Sequence, residues 1–131
     1  MADNRFPKEN RLLSANDFNY LKSKSHFLKN RWLKVYFKVS QKESVNSIVN
    51  KSRVGISASK KVGKANIRNI CKRTIRESFR LHDVRNCGQD ILVIVSPFLF
   101  KSFQTKDEGR EQLQQAINSI FNQIALKSKN Q

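Results

Sequence analysis

The sequence predicts an α+β domain in which one layer of sheet carries packed helices, in the order α-β-β-β-α-β-α. Three observations predict it. Leu33, Val35, Phe37 and Val39 alternate with Lys34, Tyr36 and Lys38, the period of a half-buried strand. Ile91 to Val95 is apolar throughout, as in a strand that is central or covered on both faces. Leu113, Ile117, Ile120, Phe121 and Ile124 recur at helical spacing. A sheet with helices on it is the economical way to bury all three patterns.

Taken in order, Ser14 followed by Asp17 resembles a capping box, and Phe18 and Leu21 give an apolar face to a helix over about 15–23. The strand over 33–39 follows, with a cationic outer face interrupted by Tyr36. Residues 40–52, rich in Ser, Asn, Lys and Gln, read as a loop with a brief strand around 45–49. Val54, Ile56 and Ala58 alternate through a strand over 53–59. A basic turn, Lys60-Lys61-Val62-Gly63-Lys64, leads to a helix over 67–81 with Asn66 as its N-cap. Pro97 stops the strand over 91–95, and the last helix covers roughly 110–127. The ends, 1–5 and 128–131, are expected to fray. No internal repeat interrupts this order, so 1–131 is read as a single domain.

Charge narrows the function. The 131 residues hold 26 Lys+Arg against 10 Asp+Glu, a net charge of +16, and a small domain so charged calls for a polyanionic partner. A membrane is not expected: the longest apolar run is far short of a spanning helix. Met1 to Arg5 lacks the apolar stretch of an export signal, so the cytoplasm is the expected compartment. Cys71 and Cys87 match no zinc or redox spacing and read as packing thiols.

The chemistry concentrates in 60–80, where eight of 21 positions are Lys or Arg and Glu77 is the acid. With Arg68 at zero, Lys72, Arg76, Asn69, Arg80 and Arg73 fall between about 40° and 140° around the helix. Ile70, Leu81, Thr74, Ile67, Ser78, Cys71, Ile75 and Phe79 take the opposite arc. A solvated helix face normally mixes signs, because i,i+4 pairs of opposite charge stabilise it. The ladder Arg68, Lys72, Arg76, Arg80 repeats one sign, which destabilises the free helix and points to a polyanion along it. Lys60, Lys61 and Lys64 extend the stripe past the helix N-terminus, where free N–H groups also favour anions. No helix-turn-helix, zinc finger or basic zipper is readable, and Tyr36 beside Lys34 and Lys38 favours stacking on single-stranded RNA. Phe18 reads as core on periodicity alone. The acids form no carboxylate cluster for a protein nuclease, and His26 and His82 stand alone without ligand spacing. No catalytic residue and no protein-held metal are therefore assigned.

These residues resemble a known family. Arg53-Val54-Gly55-Ile56-Ser57, Ser59-Lys60-Lys61-Val62-Gly63-Lys64-Ala65, Arg68-Asn69, Lys72-Arg73 and Arg76-Glu77-Ser78-Phe79-Arg80 are similar to the signature block of the bacterial ribonuclease P protein. Phe6 to Leu13 with Asp17-Phe18 resembles that family's opening segment, and Asp90 to Ile94 its strand after the basic helix; the likeness spans about 6–126. It implies an α/β sandwich like domain 2 of ribosomal protein S5, with a left-handed βαβ crossover. It implies two partners, a catalytic RNA subunit and precursor transfer RNA, and no obligate protein partner. The reaction implied is endonucleolytic removal of the 5′ leader, with Mg²⁺ at the RNA subunit and substrate and the protein alone inert. Lys60, Lys61, Lys64, Arg68, Asn69, Lys72, Arg73, Arg76 and Arg80 would face the catalytic RNA. Phe18, Tyr36, Lys34, Lys38 and Arg11 would line the leader cleft. The family's Arg-Asn-Arg is matched by Arg68 and Asn69, but its third position is Ile70. Two other readings share the charge: a non-catalytic ribosomal or chaperone protein, and an independent protein nuclease.

Overall fold

The structure, a computed structural model, describes residues 26–39 and 52–129. The helix expected over 15–23 and the brief strand around 45–49 lie outside the described residues. Four strands form one sheet: β1 (His26–Lys29), β2 (Leu33–Val39), β3 (Arg53–Ser57) and β4 (Gln89–Val95), in the order β1-β2-β4-β3. β4 pairs antiparallel with β2 and parallel with β3, so the all-apolar run is an inner strand, hydrogen-bonded on both sides. The parallel pair is joined through α1 (Ala65–Leu81), and α2 (Lys106–Lys129) closes the domain.

Side-chain alternation divides the sheet into two faces. Val35, Phe37, Val54, Ile91, Val93 and Val95 join Cys71, Ile75 and Phe79 of α1 and Leu113, Ile117, Ile120, Phe121 and Ile124 of α2 in one core. The five apolar positions expected of the last helix are all buried. The other face carries Phe27 and Lys29, then Lys34, Tyr36 and Lys38, then Arg53, Gly55 and Ser57, and Asp90, Leu92 and Ile94.

Some boundaries differ from expectation, each for a local reason. β1 was not expected; Asn30 makes it half of a hairpin, its Oδ1 accepting from the N–H groups of Trp32 (3.0 Å) and Leu33 (2.9 Å). The strand expected over 53–59 ends at Ser57, because Ser59 accepts from Val62 N–H in a tight turn. That turn buries Val62, and a Cβ on Gly63 would meet Ile67 at 3.0 Å. The chain therefore enters α1 at Ala65, with Lys64 in the cap position rather than Asn66 and no side-chain cap. Leu81, expected on the buried arc, is 70% exposed because α1 stops there and His82 turns away, its N–H returning to the Phe79 carbonyl. α2 begins earlier than 110, because Thr105 Oγ1 accepts from Glu108 N–H (3.1 Å), and Gly109 leaves room for the Phe100 ring.

Cys71 is fully buried against the core, and burial pushes its thiol up from 9.0 to about 11. The unfolded chain loses this proton first as pH rises, so the contribution is complete below pH 9 and lost between there and about 11. Urea titrations should show the wild type losing up to about 2–3 kcal/mol more than Cys71→Ala across that window. Parallel losses in the two proteins would mean the thiol does not couple to folding.

Candidate nucleic-acid interface

The turn after β3 and the outward side of α1 form the first surface. Val62 anchors the turn from below, which leaves Lys60, Lys61 and Lys64 exposed around it. Along α1, burial of Cys71, Ile75, Ser78 and Phe79 fixes the rotation of the helix. Asn69, Arg73 and Arg76 are consequently exposed, while Arg68, Lys72 and Arg80 are half-buried at the margins of the stripe. All nine residues assigned to this surface thus belong to one turn-and-helix segment. The first turn of α1 has neither an acidic residue nor a side-chain cap, so its N–H groups remain available beside the three lysines. Arg68 Nε is buried with no hydrogen-bond partner among the described residues, and such a donor costs free energy until an acceptor arrives. Ile70 is half-buried rather than part of the stripe.

The second surface is the sheet face away from α1 and α2. Cross-strand register places Tyr36 between Phe27 and Leu92, with Gly55 completing the row. The next row is Lys29, Lys34, Ile94 and Ser57. Lys38 stands opposite Asp90, which pairs in turn with Arg53. Tyr36 and Lys38 are half-buried, and Lys34 is exposed. Arg11 and Phe18, the other two residues assigned to this surface, lie outside the described residues. Phe27 was missed by sequence reasoning. Its ring lies 5.0 Å from that of Tyr36, at 47° between planes, and it is 46% exposed. The alternation of His26 and Leu28 with Phe27 and Lys29 carried the signal, but four residues are too few for periodicity to decide.

The two surfaces meet at one end of the sheet. β3 and β4 run parallel, so the turn bearing Lys60 leaves from the end where Ser57, Ile94, Lys34 and Lys29 form the row. Among the described residues, no group of three His, Cys, Asp or Glu side chains could hold a metal ion. Among the described residues the acid on this sheet face is Asp90, which is buried and engaged by Arg53 at 2.7 and 2.8 Å. No helix among the described residues is long and apolar enough to cross a membrane. The arrangement can bind polyanions and stack bases.

Comparison with known proteins places the chain. The family model described as Ribonuclease P matches residues 6–125. The ribonuclease P protein component of Staphylococcus aureus strain Mu3 is 39% identical over 114 residues, covering 87% of this chain and 89% of that one. The solved structure of the Staphylococcus aureus RNase P protein superimposes with a TM-score of 0.67 at 32% identity, covering 86% of this chain and 93% of that one. The RNase P protein of Thermotoga maritima gives a TM-score of 0.62 at 30% identity, with 83% and 96% covered.

Proposed function

The chain belongs to the ribonuclease P protein family, the protein components of the ribonucleoprotein that processes transfer RNA, and from that premise we propose a division of labour between its two surfaces. Lys60, Lys61, Lys64, Arg68, Asn69, Lys72, Arg73, Arg76 and Arg80 hold the catalytic RNA. The second sheet face, with Tyr36, Lys34 and Lys38 and with Arg11 and Phe18 from outside the described residues, holds the 5′ leader of precursor transfer RNA. The RNA subunit performs the hydrolysis, with Mg²⁺ at that subunit and the substrate. The compartment is the cytoplasm, and no further protein is needed. The β3–α1–β4 unit is read as the left-handed crossover of the S5-like fold, its parallel pairing supporting the unit.

The observation that carries this reading is the run of cations over 60–76 without an acid, ending on a helix whose Arg68 has a buried donor awaiting an acceptor. Cations placed between two polyanions lower their repulsion, so less Mg²⁺ is required to bring them together. The test is cleavage of precursor transfer RNA at low Mg²⁺ by RNA alone, protein alone and both. Strong stimulation of the RNA by an inert protein is expected. A ribosomal or chaperone protein would bind without stimulating. Cleavage by nuclease-treated protein free of RNA would overturn the assignment of chemistry to the RNA.

Tyr36→Ala separates the surfaces. It should leave assembly with the catalytic RNA intact and weaken precursor binding by roughly 1–3 kcal/mol, the range for one stacked base. Mature transfer RNA, which has no leader, should bind unchanged. Equal weakening of both substrates in titrations of the assembled enzyme would reject the leader surface.

A further inference from the structure

We propose that Phe27 and the Lys29–Lys34 pair form a single-nucleotide subsite on the exposed β1–β2 side of the second sheet face, with an unpaired RNA base lying on the Phe27 ring and its neighbouring phosphate between the two ammonium groups. This rests on the leader reading above and adds Phe27 and Lys29 to it.

The hairpin builds the subsite. Phe27 pairs directly with Tyr36, and Lys29 with Lys34, so both pairs project from the same face two residues apart, about 7 Å along the strands. Tyr36 is half-buried and flanks Phe27, whereas Phe27 leaves nearly half its surface to solvent. Phe27 is thus the outer ring of the pair, supported from below and open above. An exposed aromatic beside cations is the common means of holding unpaired bases, because every base offers a π-face.

The lysines supply the independent observation. Lys29 and Lys34 stand directly opposite each other, both exposed, and like charges in that position destabilise a sheet. An acid on the face could relieve them. Among the described residues the candidate is Asp90, which lies two rows away and is bound to Arg53. A phosphate between the ammonium groups removes the repulsion, and one nucleotide spans from such a phosphate to the neighbouring ring. Asn30 holds the geometry: beyond its bonds to Trp32 and Leu33 it donates from Nδ2 to the Ala116 carbonyl of α2 (3.3 Å), pinning the hairpin to the body of the domain.

The experiment uses the assembled enzyme and precursor transfer RNAs whose leaders carry one abasic nucleotide at each position in turn. Wild type should show one position, besides any read by Tyr36, where base removal weakens binding about 5- to 150-fold, the span expected of one stacked base. Phe27→Ala should produce the same loss on the unmodified leader and no further loss with the base removed at that position. Phe27→Trp should retain the affinity, and Phe27→Leu, apolar but without a π-face, should not. Lys29→Gln with Lys34→Gln should weaken leader-bearing substrate and flatten its salt dependence, leaving mature transfer RNA unaffected. If Phe27→Ala binds like wild type while leader removal or Tyr36→Ala still weakens binding, the subsite is wrong and the leader surface stands. If removal of the whole leader costs the wild type nothing, the leader reading fails as well.

Discussion

Replacing Arg68, Lys72 and Arg76 together with Ala is expected to cripple assembly with the catalytic RNA without unfolding the protein. Their side chains fall within about 80° of one face of α1, so one groove of folded RNA can meet all three. None belongs to the core, which α1 enters through Cys71, Ile75 and Phe79. If each contact is worth about 1–1.5 kcal/mol, affinity falls roughly 150- to 2,000-fold. Salt provides the sharper reading. About six phosphate contacts on the whole surface give a slope of log K against log salt near −4 to −5, and removing three should reduce it by about 2–3. A loss of affinity with unchanged slope would mean that the triple variant had distorted the surface rather than discharged it. Normal assembly would leave the stripe without its assigned role. The melting temperature should hold or rise, because the like-charge ladder is relieved.

The stripe was legible because helical periodicity and charge are both local. Once 67–81 is placed at 100° per residue, its cationic side follows, and burial of Cys71, Ile75, Ser78 and Phe79 in the structure agrees with that projection. The all-apolar run likewise declared its inner position, and β4 lies between β2 and β3. Leu81 shows where projection fails. A helical wheel extends a face indefinitely, whereas the helix ends at that residue and the chain turns away. Asn66 failed as a cap for a related reason: the turn geometry set by Val62 and Gly63, not the capping preference of one side chain, decides where α1 begins. β1 and Phe27 were hidden because strand pairing is non-local. His26–Lys29 buries too little to betray itself, and its place follows from a hairpin closed by Asn30.

Nothing in periodicity could have joined Arg53 to Asp90, 37 residues apart, yet this pair ties β3 to β4 at the end remote from the cationic turn. The guanidinium grips the carboxylate at 2.8 and 2.7 Å, with the two side chains 11% and 2% exposed. It links β3 to β4 at their first row, with Lys38 of β2 in register on the far side of Asp90. Asp90→Ala removes the carboxylate that the largely buried Arg53 guanidinium grips, and the expected cost is about 3–5 kcal/mol. For a domain of ordinary stability, about 5–15 kcal/mol in all, this is a large fraction. The urea midpoint should fall accordingly, and leader cleavage by the reconstituted enzyme should be lost first on warming and return on cooling. Exchanging both partners for apolar residues, Arg53→Met with Asp90→Leu, should recover much of the loss, because the penalty lies in taking the counter-charge from a desolvated guanidinium rather than in the missing bond. The double variant also tests function: the pair lies at the opposite end of β3 from Lys60, so stimulation of the catalytic RNA should survive in it. A single-variant cost below about 1 kcal/mol would show that Arg53 reaches solvent when released, and that β3 is held by its hydrogen-bond ladder and the burial of Val54 instead.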